Sequence, residues 1–132
     1  MEYVTQAGVE VPKVGVGTWQ MEPEVAYESV STALDVGYRH VDTAQLYENE
    51  VAVGRAITES DVDRSEIFLT TKVDPTNRSV EDIVESTRKS VDLLGVEQVD
   101  LLLIHWPHPL ADLAEVIDGL NECVRQDLTR FI

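Results

Sequence analysis

The chain has 132 residues, 43% of them apolar, which suffices for one core of ordinary size and points to a single domain over residues 1–132. Acidic residues outnumber basic ones 25 to 10, for a formal net charge of -15, and no segment supplies the basic patch that nucleic acid demands. No apolar run is long enough for a membrane span, and neither end carries a leader or lipidation motif, so the expectation is a cytoplasmic protein with no membrane or nucleic-acid partner.

Residues 3–19 alternate and turn, as YVTQ, AGVE and then VPKVGVGTW, which predicts a short hairpin followed by a glycine-rich strand. From Pro23 the period changes: Ala26, Val30, Ala33 and Leu34 recur at helical spacing, Pro23 suits a first turn, and Gly37 is a C-terminal stop. YRHVDTA then predicts a second strand, a second helix runs from about Asn49 to Thr58, and EIFLTTKV predicts a third strand. The third helix opens on Ser79 with Asp82 three residues on, carries Val84, Thr87, Val91 and Leu94 as a stripe, and stops at Gly95. Val99 to Ile104 is almost continuously apolar, as a parallel strand covered on both faces requires. A fourth helix presents Leu113, Val116, Leu120 and Val124 on one face and leads into LTRFI; its Cys123, the only cysteine, has no ligand partner at metal spacing and reads as core filler.

This is β/α repeated four times with the start of a fifth strand, which implies a parallel sheet with right-handed crossovers. Gly15 and Gly17 stand in GVGTWQ without the third glycine of a dinucleotide fingerprint, so a doubly wound fold loses its main support. The acids are spread over the predicted outer faces of the helices and the turns rather than gathered in a block. An even acidic coat repels itself less where salt shortens the Debye length to about 3 Å at 1 M, so a high-salt, halophilic cytoplasm is the expectation.

Polar residues collect at one end of this scaffold: Asp42 closes the second strand, Tyr47 lies just beyond it, Lys72 closes the third and His105 the fourth. Singly, each has a plainer role: a turn cap, a packing residue, a solvated strand end and a satisfied structural histidine. Together they place an acid, a phenol, an ammonium and an imidazole at the C-terminal ends of successive strands, where a β/α barrel carries its catalytic groups. A free phenol titrates near 10; a neighbouring ammonium favours the phenolate, and a carboxylate keeps the ammonium charged and in place. With an imidazole to orient the substrate oxygen, the set suits protonation of an oxygen that turns negative as hydride reaches a carbonyl carbon, and it needs no metal.

The segments VGVGTWQ, GYRHVDTAQLYENEVAVGRAI, RSEIFLTTKV and LGVEQVDLLLIHWP stand in the order and spacing of the aldo-keto reductase family, which the chain resembles along its whole length. That resemblance implies a TIM-type (β/α)8 barrel, NADPH bound without a Rossmann domain, and reduction of an aldehyde or ketone. It makes Tyr47 the proton donor, Lys72 and Asp42 the pair that tunes it, and His105 the group that orients the carbonyl. Gly17, Thr18, Trp19 and Asp42 would lie beside the nicotinamide, and Trp19, Tyr47, His105 and Trp106 would line the substrate pocket, core packing being the other role open to Trp106.

A barrel of this type needs about 250 residues. The expectation is therefore an N-terminal half, truncated to about four β/α units behind a hairpin, with unpaired edges at barrel strands one and four. The Gly-Val-Ser-Asn-Phe segment and the basic loop that the family uses to grip the cofactor have no counterpart in the sequence. Such a half would close by self-association, be completed by a C-terminal half, or persist as an inactive or regulatory remnant. Asp127 stands where the family has a helix-ending glycine, which costs about 1 kcal/mol if the position is left-handed.

Overall fold

The computed structural model describes residues 1–6 and 8–132. Strands β1 (Tyr3–Gln6) and β2 (Val9–Pro12) pair antiparallel, Tyr3 opposite Pro12, as the expected hairpin; Ala7 lies outside the described residues. Then come β3 (Val16–Gly17), α1 (Pro23–Asp35), β4 (His40–Asp42), a 3-10 turn at Gln45–Tyr47, and α2 (Glu50–Thr58). A second 3-10 turn at Arg64–Glu66 leads to β5 (Phe68–Val73), α3 (Val80–Leu94), β6 (Val99–Ile104), α4 (Leu113–Arg125) and β7 (Thr129–Phe131). Strands β3 to β7 form one parallel sheet in sequence order, so each helix returns the chain to the next position along the sheet.

The core lies between this sheet and the four helices. Leu34, Val41, Val53, Leu69, Ile83, Leu94, Leu102, Leu120 and Cys123 belong to one buried cluster, with Cys123 as filler. In α1 the buried set is the expected Ala26, Val30, Ala33 and Leu34, and Gly37 takes a left-handed φ of 101° after it. The Ser79 hydroxyl accepts the Asp82 N–H at 3.1 Å, and Gly95, left-handed at φ 65°, ends α3.

The structure corrects four details. In α3, Ile83 is buried and Val84 only half-buried. In α4, Leu113 is 52% exposed and Val124 half-buried; the buried face is Val116, Gly119, Leu120 and Cys123. The cause is a close approach at Gly119, where a Cβ would meet Ile83 Cδ1 at 2.8 Å, so α4 turns its glycine rather than Leu113 toward α3. Strand β6 is not fully covered: Leu102 enters the helix-side core, whereas Leu101 and Leu103 on the opposite face are half-buried. Finally, LTRFI completes a strand, Val99 pairing with Thr129 and Leu101 with Phe131, so the sheet ends at β3 and β7, and its second edge is the fifth barrel strand rather than the fourth.

Candidate active site

Register brings the predicted residues to one end of the sheet. Gly17 lies opposite Asp42 and Asp42 opposite Thr70, while Lys72 lies opposite Leu103. Beyond these pairs the strand exits stay joined: Thr18 N–H donates to Asp42 O at 3.1 Å, Thr43 N–H to Thr70 O at 2.9 Å, and His105 N–H to Val73 O at 3.2 Å. Tyr47 closes a 3-10 turn, and its neighbour Glu48 is left-handed at φ 55°, which turns the chain sharply into α2. Gln45 pins that turn over the exit of β5: its Oε1 accepts the Asp74 N–H at 2.8 Å and its Nε2 donates to Ser90 Oγ at 3.1 Å.

Lys72 Nζ is the hub. It pairs with Asp42 Oδ1 and donates to Thr43 O at 3.0 Å and Tyr47 Oη at 3.4 Å. The lysine side chain is largely buried, so its charge depends on these oxygens rather than on water. An ammonium donating to an oxygen stabilises negative charge on that oxygen. The carboxylate of Asp42 holds the ammonium in place.

His105 meets the Tyr47 ring edge-on, with centroids 5.4 Å apart and planes at 78°, and leans on Trp106 at 4.5 Å. Its Nδ1 is buried with no hydrogen-bond partner among the described residues. That is a poor fit to a satisfied structural histidine, since a buried polar atom without a partner is costly. Burial first, and then the Lys72 charge, push its pKa below the ordinary histidine range, so at neutral pH the ring is a neutral imidazole.

Trp19 is 68% and Trp106 53% exposed, so neither is core filler. Trp19 reaches this end through Thr18 and its bond to Asp42. Beside it, a Cβ at Gly17 would meet nothing within 4 Å among the described residues, which leaves open space next to the Asp42 exit.

Two neighbours lie outside the set that the sequence predicts. Asn49, 1% exposed, hydrogen-bonds Thr18, Met21 and Thr43 instead of capping α2. Glu50, 4% exposed, accepts from Thr71 Oγ1 at 2.7 Å and Ser90 Oγ at 3.2 Å, so this acid is not on an outer face. Periodicity held the signal: Glu50, Val53, Gly54 and Ile57 share the i, i+3, i+4, i+7 stripe, and all four are buried.

A profile described as the Aldo/keto reductase family matches residues 13–132. The chain belongs to the aldo/keto reductase family. Its relatives include the methylglyoxal reductase DkgB of Salmonella typhi, 45% identical over 124 residues that cover 92% of this chain and 46% of the relative. The glycerol 2-dehydrogenase (NADP(+)) of Saccharomyces cerevisiae is 47% identical over 100 residues, 76% of this chain and 31% of the relative. Among solved structures, a Bombyx mori aldo-keto reductase in complex with NADP superposes with a TM-score of 0.90 at 29% identity, over 98% of this chain and 48% of that one. The Brucella melitensis aldo/keto reductase superposes with a TM-score of 0.93 at 36% identity, over 98% and 50%. This family member thus has the α/β fold and parallel sheet of aldo/keto reductase barrels, and it spans between 31% and 50% of the length of these relatives.

Proposed function

We propose that the open end of the sheet reduces an aldehyde or ketone to an alcohol, with NADPH as the reductant. The observation that carries this reading is Lys72 Nζ bonded to both Asp42 and Tyr47 Oη, with the His105 ring against the same phenol. The carbonyl oxygen would lie between Tyr47 and His105, with Trp19 and Trp106 as apolar walls. When bound, the reduced nicotinamide supplies a hydride to the carbonyl carbon. Tyr47 Oη gives its proton to the oxygen as charge develops there, and Lys72, held by Asp42, stabilises the phenolate left behind until solvent returns a proton. His105, neutral, orients the carbonyl by hydrogen bonding. The names of the relatives support carbonyl substrates, and methylglyoxal is the first to try.

The residues present fit the nicotinamide end of the cofactor. Space beside Gly17 and the bare Trp19 indole suit a flat ring, with Thr18 and Asp42 at hand. The phosphate end fits less well, because the charge of Lys72 is already met by Asp42 and the chain is strongly acidic. We assign that grip to a complementing C-terminal half or a second copy packed on the open sheet, and the protein to a salt-rich cytoplasm.

The sheet edges at β3 and β7 favour a second function, a remnant or regulatory half-barrel that keeps the tetrad without turnover. Titrating NADPH into the chain in molar salt while following indole fluorescence separates the two. Catalysis by this chain predicts a saturable quench that Trp19→Phe diminishes; an unchanged signal at every NADPH concentration contradicts it.

A further inference from the structure

We propose that Asn49 is a positioning residue that locks the Trp19 loop and the carbonyl acceptor of Lys72 into one arrangement; its catalytic meaning rests on the carbonyl-reductase function proposed above. Asn49 stands at the start of α2, where asparagine ordinarily caps the helix, yet its side chain makes no cap bond. It reaches across instead. Nδ2 donates to Thr18 O at 2.9 Å and Met21 O at 3.0 Å, the two carbonyls that bracket Trp19 and Gln20. Two carbonyl acceptors fix which end of the amide is nitrogen.

The oxygen end is equally committed. The Thr18 hydroxyl lies 2.9 Å from Thr43 Oγ1 and 3.3 Å from Asn49 Oδ1, and the Thr43 hydroxyl donates to Oδ1 at 3.2 Å. Each hydroxyl has one proton, so the consistent arrangement is a relay from Thr18 through Thr43 to Asn49. Thr43 O is in turn an acceptor of Lys72 Nζ, and Thr18 N–H is bonded to Asp42 O. One buried amide therefore grips the chain on both sides of Asp42, two residues from Tyr47. The loop it holds includes Gln20 at a left-handed φ of 58°, a conformation that glutamine adopts at a cost and that the surrounding bonds must sustain.

The test is amide hydrogen exchange and the indole resonances of the 132-residue chain, read by NMR for wild type and Asn49→Asp. Aspartate keeps the shape and the acceptor but sets a carboxylate against the Thr18 and Met21 carbonyls. The expected result is exchange about tenfold faster or more at Thr18 and Met21, a displaced Trp19 indole signal, and unchanged protection at Leu69 and Leu102. Exchange that accelerates uniformly along β5 and β6 makes Asn49 a stability residue only and overturns the proposal, as does unchanged exchange at Thr18 and Met21. Should Asn49→Asp not fold, Thr43→Val decides: a displaced Trp19 indole with faster Thr18 exchange and unchanged Leu102 supports the lock, and an unaltered Thr18 overturns it. None of these signals needs NADPH, so a failure to bind cofactor sinks catalysis by this chain alone while the lock at Asn49 stands or falls on exchange alone.

Discussion

Glu50 has its carboxyl taken out of water between α2, β5 and α3, and burial pushes its pKa above the ordinary carboxylate range. The Thr71 and Ser90 hydroxyls and the Lys89 charge oppose that shift without cancelling it. A carboxyl with a raised folded pKa holds its proton longer in the folded than in the unfolded state. Its stabilising contribution is therefore full in acid and is lost as pH rises through the raised value. Glu50→Gln removes this slope: denaturation midpoints of the two proteins should diverge as pH climbs from acid to neutral, the wild type falling relative to the variant. Parallel curves would contradict the assignment. Composition places the acids on an outer coat because it says nothing of burial; Glu50, marked by its helical stripe with Val53, and Asp100, buried against Arg64 and Arg130, are exceptions. Asp127 is legible in the opposite way: the missing glycine predicts strain, and the residue is indeed left-handed at φ 56°.

Among the elements, α2 and α3 show how a single missing side chain sets a packing distance. A Cβ at Gly54 would lie 2.3 Å from the backbone oxygen of Leu94, so α2 rests directly on the end of α3 with no room for a methyl group. Gly54→Ala should cost about 3 kcal/mol in chemical denaturation, because backbone rather than a flexible side chain must move. Gly17→Ala, with nothing within 4 Å, should stay within about 0.5 kcal/mol of wild type; similar losses in both would refute the close approach at Gly54. The order of strands and helices is legible because apolar period and stop signals agree element by element, Gly37 and Gly95 above all. Helix faces are less so. The rotation of α4 depends on Gly119 meeting Ile83 from another helix, a tertiary contact that no local pattern records. The clustering of Asp42, Lys72 and His105 is legible because they stand at the ends of consecutive strands, with Tyr47 in the turn just beyond the first, whereas Asn49 sits at a helix start, where its identity already has a local explanation.

For the whole molecule, a net charge of -15 on 132 residues sets the conditions under which the fold persists. Raising salt from 0.1 M to 1 M shortens the Debye length from about 10 Å to about 3 Å and relieves repulsion within the acidic coat. The thermal midpoint should therefore rise in molar salt; a protein equally stable in dilute buffer would contradict a high-salt habitat. The sheet is open at β3 and β7, and half-buried Leu101 and Leu103 stand on the face that a second copy or a complementing half would cover. Under the proposed function closure and catalysis would be linked, since β6 carries Leu101 and Leu103 on that face and leads into His105. The most direct test of the central claim is carbonyl-dependent oxidation of NADPH, measured for wild type and Tyr47→Phe in the same high-salt preparation. Tyr47 as proton donor predicts turnover of methylglyoxal by the wild type and a loss of about 100-fold or more in the variant. No turnover by the wild type, or equal rates in the two proteins, would contradict it.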